Sequence, residues 1–198
     1  MLLLYAVLFG VLVGLATHGS LTRLADARVR LWPLALLGLA FQVVLFSSPI
    51  ADVVGSWGPV LYVLSTAVVL GALLVNVRQP GFWLILLGAA LNFAVIVANG
   101  GQMPASPAAL ALLTGQPVVP TDAFSNSVLA GPHTIFPSLG DVYVLPQPIP
   151  FANVFSIGDV LIGLGGAVWL VRVMQGGGRE AQSRRQMGSV AGIQHANG

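Results

Sequence analysis

Apolar residues gather along this chain in five blocks, at about residues 1–16, 31–49, 59–77, 81–98 and 154–174. Each is long enough, or nearly so, to cross a hydrocarbon layer of roughly 30 Å at about 1.5 Å per helical residue. The pattern predicts an all-α membrane protein with five transmembrane helices. The first block is the shortest. It lacks the basic n-region of a signal peptide, and arginines follow rather than precede it, so it reads as a retained helix.

The polar breaks between the blocks differ in charge. Arg23, Arg28 and Arg30 lie between the first and second, Arg78 between the third and fourth, and Arg172, Arg179, Arg184 and Arg185 at or after the end of the fifth. If five helices alternate in direction, every arginine falls on one face. The other face holds the N-terminus, the 50–58 loop and the 99–153 segment, none of which carries a basic residue. Positive charge stays on the cytoplasmic side, so the expected orientation is N-terminus out and C-terminus in. Removing any interior span would scatter the arginines across both faces. The acids contribute little to topology: Asp52, Asp122, Asp141 and Asp159 fall outside, Asp26 and Glu180 inside.

Composition agrees. Of 198 residues, 56% are apolar and 7% charged, against about 25% charged in soluble domains. The mean hydropathy is +0.89. There is no cysteine and no lysine, which excludes disulfides, thiolate metal sites and cysteine nucleophiles.

The breaks also divide the chain into parts. The 78–81 connection is so short that the third and fourth spans must be antiparallel neighbours. Gly10 and Gly14 form a GxxxG, which permits close helix approach but arises readily in a glycine-rich apolar chain. Gly158, Gly163, Gly165 and Gly166 give the fifth span the same capacity. Residues 1–175 read as one polytopic membrane domain and 176–198 as a cytoplasmic tail without fixed structure. Arg179, Arg184 and Arg185 in that tail lie within reach of anionic headgroups, but they chiefly fix orientation, and they do not make a nucleic-acid surface.

The 99–153 segment is the unusual part. It holds nine of the thirteen prolines, no basic residue, and much Ala, Leu, Val and Phe. A structureless loop of that length is uncommon and usually functional, so a compact outer cap between the fourth and fifth helices is expected. Ser106-Pro107 through Gly115 reads as one short helix, with serine as N-cap, proline at N1 and glycine closing the end. Residues 141–145 read as a short strand ended by prolines.

Candidate chemistry lies near the outer helix ends. Asn92 and Asn99 share one face of the fourth span, and Gln42 lies in the second. Each reads either as an interhelical hydrogen bond or cap, or as part of a solute path. Asn99-Gly100-Gly101 also has the residues needed to end a helix. Ser156 and Asp159 match a capping box, with Asn153 one turn earlier. The functional alternative is a carboxylate that binds a cation or proton at the membrane rim. His133 with Asp122, Asp141 and Ser125, Ser127 or Ser138 assembles on paper into a triad or a metal site, yet without diagnostic spacing. No nucleophile elbow, HExxH or phosphate loop is present, and nothing calls for a cofactor. Trp32, Trp57, Trp83 and Trp169 fall near span ends, as an interfacial belt requires.

Taken together, "ANGGQMP", "FSNS", "LGD" and "LPQPIPFANVFSIGD" resemble the pattern of an uncharacterised bacterial family of small integral membrane proteins, labelled only as a domain of unknown function. The likeness covers residues 1–172 and marks Asn99, Gly100, Gly101, Met103, Pro104, Ser125, Asn126, Gly140, Asp141, Asn153, Ser156, Gly158 and Asp159. The resemblance implies a multi-pass protein of the bacterial cytoplasmic membrane and lends weight to the cap. It supplies no substrate. Three functions remain open. The first is an accessory subunit that contacts lipid and, through the cap, another membrane protein. The second is a small-solute or cation carrier or channel lined by Asn92, Asn99 and Asp159. The third is a membrane enzyme using His133 and an aspartate. The orientation is testable on the cysteine-free background. A cysteine at Ser127 is expected to react with an impermeant thiol reagent on intact cells and one at Ser183 is not, and the reverse result would overturn the topology.

Overall fold

The computed structural model describes residues 2–47, 50, 53–116 and 127–176. Seven α-helices occur among them: α1 Leu2–Ala16, α2 Thr22–Ala25, α3 Trp32–Leu45, α4 Gly58–Leu74, α5 Phe82–Ala98, α6 Pro107–Thr114 and α7 Ile157–Met174. A 3-10 turn, Gly55–Trp57, leads into α4. Two helical stretches are long and apolar enough to cross a membrane, Gly55–Leu74 with 20 residues and Ile157–Met174 with 18. Leu2–Ala16, Trp32–Leu45 and Phe82–Ala98 are apolar but shorter. The expectation of five full-length spans is corrected here. The apolar blocks run on into turns, so 14 residues of α3 rise only about 21 Å.

The cap also holds strands, the short one expected over 141–145 and three that the all-α reading did not include. β1 Met103–Ala105 pairs in parallel with β2 Ser127–Leu129, and β3 Tyr143–Leu145 pairs antiparallel with β4 Asn153–Phe155. Val154 and Phe155, counted towards the last span, are therefore strand. Helix α7 starts only after Ser156, whose extended backbone (φ −99°, ψ 169°) makes it the N-cap. Short helix α6 has the caps that its sequence supplies. Ser106 accepts from the Ala109 amide, Pro107 occupies the first turn, and Gly115 at φ 70° closes the end.

Helix α7 is the central element. It packs alongside α1 in the same direction and against α5 in the opposite direction, while α4 joins α5 to α3. Glycines set both α7 interfaces. A Cβ at Gly10 would come 2.9 Å from the Ala167 Cα, and one at Gly14 would come 2.5 Å from the Met174 sulfur. On the other side a Cβ at Gly88 would collide with the Gly158 carbonyl, and one at Gly165 would sit 2.8 Å from the Ile85 nitrogen. Without water, helices associate through such close packing and through interhelical hydrogen bonds. Across α3 and α4, Gln42 donates to Ser65 (3.2 Å) and Thr66 (3.3 Å).

The end of the bundle that carries Arg23, Arg28, Arg30, Arg78 and Arg172 is closed by polar bonds. The Asn76 side chain donates to the Arg30 carbonyl (2.7 Å) and accepts from the Arg30 amide (2.8 Å). Gln79 accepts from the Trp169 indole (2.9 Å). Arg23 donates to the Met174 carbonyl (2.9 Å), which suits a cation at a helix C-terminus. The opposite end carries the cap. Gly100 (φ 70°) and Gly101 (φ 88°) end α5, with the Gly101 amide donating to Ile96 (2.8 Å) and the Gly100 amide to Val97 (3.4 Å). This Schellman pattern satisfies carbonyls that the helix leaves open.

The glycine contacts predict a contrast. Gly88→Ala must push α5 off α7 and is expected to cost about 1–3 kcal/mol. A methyl group added at Gly71 or Gly166 would meet nothing within 4 Å, so alanine there is expected to be neutral or to stabilise by up to about 1 kcal/mol. Thermal unfolding in detergent measures all three, and equal losses at Gly88 and Gly166 would contradict the packing.

Candidate functional site

The candidate site is built where α5 passes the N-terminus of α7. Because Gly158 has no side chain, the Asn92 amide lies against the α7 backbone. Asn92 Nδ2 donates to Asp159 Oδ1 (2.9 Å), and Asn92 Oδ1 accepts from the Ser156 hydroxyl (2.8 Å). Ser156 Oγ in turn accepts from the Asp159 amide (3.1 Å), while Asp159 Oδ2 accepts from the Ser156 amide (3.0 Å). The result is a capping box closed by an amide from a second helix. Ser156 is fully buried, at 0% exposure, and its hydroxyl both donates and accepts, as a buried polar group requires.

The other sequence candidates lie elsewhere. Asn99 stands two turns beyond Asn92 and does not join the box. Its Nδ2 donates to the Val95 carbonyl (2.8 Å) and the Ile135 carbonyl (2.9 Å), and its Oδ1 accepts from the Ile135 amide (2.9 Å). It thus clamps one cap residue by both backbone groups. Asn153 sits in β4 opposite Leu145 and donates to the Val154 carbonyl (2.8 Å). Asn126, with Ser125 and Asp122, lies outside the described residues. His133 is exposed and forms no catalytic pair among the described residues.

Asp141 ties two parts of the cap together through its backbone. Its amide donates to the Pro104 carbonyl (2.9 Å) and its carbonyl accepts from the Ser106 amide (3.0 Å). Gly140 leaves room for that approach, since a Cβ there would be 3.1 Å from the Pro104 ring. The Asp141 carboxylate is half-buried and has no hydrogen-bond partner among the described residues. Burial first, and then the charge of Asp159, push it up to about 6. The charges of both aspartates also bear on Tyr62 of α4, which is buried with Val95, Ile96 and Met103.

Chemically, Asp159 is committed to holding helices together, and Asp141 is the carboxylate left to hold a proton or face a cation. No group of three or more His, Asp or Glu residues suited to a metal occurs among the described residues. Sequence reading misses the Asn76 clamp on Arg30, the Tyr5 hydroxyl donating to the Pro150 carbonyl (2.7 Å), and the part of Tyr62. An isolated asparagine or tyrosine at a span end carries no spacing that would identify its partner. The residues marked by the family resemblance are largely joints. Gly101 abuts Pro59, Gly140 abuts Pro104, and Gly158 admits Asn92.

The two aspartates should respond differently to substitution. Asp159→Asn keeps one of the two accepting oxygens and is expected to cost less than Asp159→Ala, which loses both and about 0.5–2 kcal/mol or more, and equal losses would deny the capping role. For Asp141, the folded chain holds a proton more tightly than the unfolded chain. Its contribution to stability is full below the ordinary carboxyl range and is lost as pH rises through about 6. Asp141→Asn should therefore remove a fall in melting temperature between about pH 4 and about pH 7. The gain at neutral pH should be roughly 1 kcal/mol or less, because the carboxylate is partly solvated. An unchanged pH profile would refute it.

A family model described as a family of unknown function, DUF5317, matches residues 26–171. No curated protein and no solved structure matches the chain.

Proposed function

Because the chain belongs to this family of unknown function, DUF5317, we propose from its own surfaces that it is a multi-pass protein of the bacterial cytoplasmic membrane. In this reading it has five spans, N-terminus out and C-terminus in, and works without catalysis as an accessory subunit that binds a membrane partner through its outer cap. The membrane domain is 1–175, the cap is 99–153 and 176–198 is a cytoplasmic tail. An apolar perimeter supports the five-span reading: Leu12, Leu37, Val43 and Leu64, on three different helices, are each more than half exposed. A soluble protein does not bear so continuous an apolar surface. The shorter helices then cross by local thinning of the bilayer and by burying their connecting turns in protein.

One observation carries the accessory role. The cap is joined to the helices by its polar groups and presents apolar side chains outward, with Leu112 at 73% exposure and Val128 and Tyr143 also exposed. The test is native mass spectrometry after mild extraction. A second membrane chain is expected at fixed stoichiometry, lost in Leu112→Arg with unfolding unchanged. Extraction of the chain alone would count against the accessory role.

A small-solute or cation carrier is the second reading, favoured by the Asp141 carboxylate, which has no hydrogen-bond partner among the described residues and feels the charge of Asp159. Cation-dependent stabilisation that disappears in Asp141→Asn would move the weight to it.

A further inference from the structure

Two phenylalanines in the cap have left-handed backbones, Phe136 at φ 54° and Phe151 at φ 57°. Such a conformation is uncommon for a bulky residue and needs a surrounding structure that enforces it. Both rings are nevertheless more than half exposed, and Ile135 and Ile149 beside them are exposed too. The enforcing structure is a pair of pins. Asn99, at the end of α5, holds the Ile135 amide and carbonyl, and the Leu139 amide donates to Phe136 on the far side (3.0 Å). Tyr5, in the second turn of α1, holds the Pro150 carbonyl, and β4 begins at Asn153, after Ala152.

We infer that the 135–136 and 149–151 loops are membrane anchors, which seat the cap in the headgroup–acyl boundary of the outer leaflet. Both pins reach to the arginine-free ends of helices, so the two loops stand level with the bundle's rim and continue the apolar perimeter of the bundle. The surface they offer is uncharged. Between residues 127 and 156 there is no arginine or lysine, and the one carboxylate, Asp141, lies outside both loops. An aromatic, uncharged rim at the level of the helix ends matches the interface of a bilayer. A protein partner recognised there would have to displace lipid, and the 135–136 and 149–151 loops carry no charged residue to steer it. This inference rests on the membrane-spanning reading above and adds to it that the cap is embedded rather than raised into water.

The test uses the full chain in nanodiscs of phosphatidylcholine and phosphatidylglycerol. Single cysteines replace Phe136, Phe151 and, as a lipid reference in the middle of α3, Leu37, and each carries a nitroxide. Collision with oxygen is compared with collision with a water-soluble nickel chelate, and free nitroxide in buffer is the water reference. Oxygen access exceeding nickel access at 136 and 151, close to the Leu37 ratio, is the expected result. Ratios matching the free label at 136 and 151, with Leu37 still in lipid, would overturn the anchoring alone. A water-like ratio at Leu37 would overturn the spanning reading and the anchoring with it. The double variant Phe136→Gly/Phe151→Gly suits the positive φ and so keeps the fold. With the label at Ile149→Cys, it should raise nickel access at least twofold over the same label in the native loops, and unchanged access would also overturn the proposal.

Discussion

The structure depends on how closely α5 can approach α7. At Gly88 and Gly158 the two backbones meet without side chains between them, and this brings Asn92 into the N-terminal turn of α7. A part-buried amide in an apolar setting needs partners, and Asn92 finds one in Ser156 and one in Asp159. The same groups cap α7 and bind it to α5, so the register of the two helices and the start of α7 are fixed together. A residue larger than glycine at position 158 would displace the amide and leave Ser156 and Asp159 with half of their bonds.

From that contact the rest of the bundle is placed. With α7 registered on α5, its opposite side offers Gly163 and Ala167 to α1, and its last turn reaches Arg23 and the Gly14 region. Each end is then fastened by an asparagine that grips one residue of a connecting loop by both backbone groups, Asn76 on Arg30 and Asn99 on Ile135. These clamps satisfy both backbone groups of the loop residue they hold. The cap is therefore an extension of the helix ends. Its carboxylate Asp141 lies close enough to Asp159 to feel its charge, so the protonation of the cap is tied to the joint beneath it.

Much of this is legible in the chain itself. Each apolar block holds one apolar helix, two of them long enough to cross a membrane, and Ser106, Pro107 and Gly115 give α6, because caps act within a single turn. Ser156 and Asp159 are readable as a capping box for the same reason. Long-range partners are not. Nothing local says that Asn92 turns towards Asp159 while Asn99, on the same face, turns to Ile135, since tertiary packing chooses between two equally polar neighbours. Hydropathy overstates the length of the spans, because it counts Val154 and Phe155 as apolar whether they extend a helix or pair as a strand. The pairing of β4 with β3 depends on residues about ten positions away.

The central claim is that Asn92 and the α7 cap form one unit, and a double-mutant cycle between Asn92→Ala and Ser156→Ala tests it most directly. Thermal unfolding of the two single variants and the double variant in the same detergent gives the coupling. If the amide and hydroxyl bond across the helices, the losses are non-additive by about 0.5 kcal/mol or more. Strict additivity would mean that Ser156 caps α7 by itself and Asn92 lies elsewhere, and the account of how α5 registers α7 would fail.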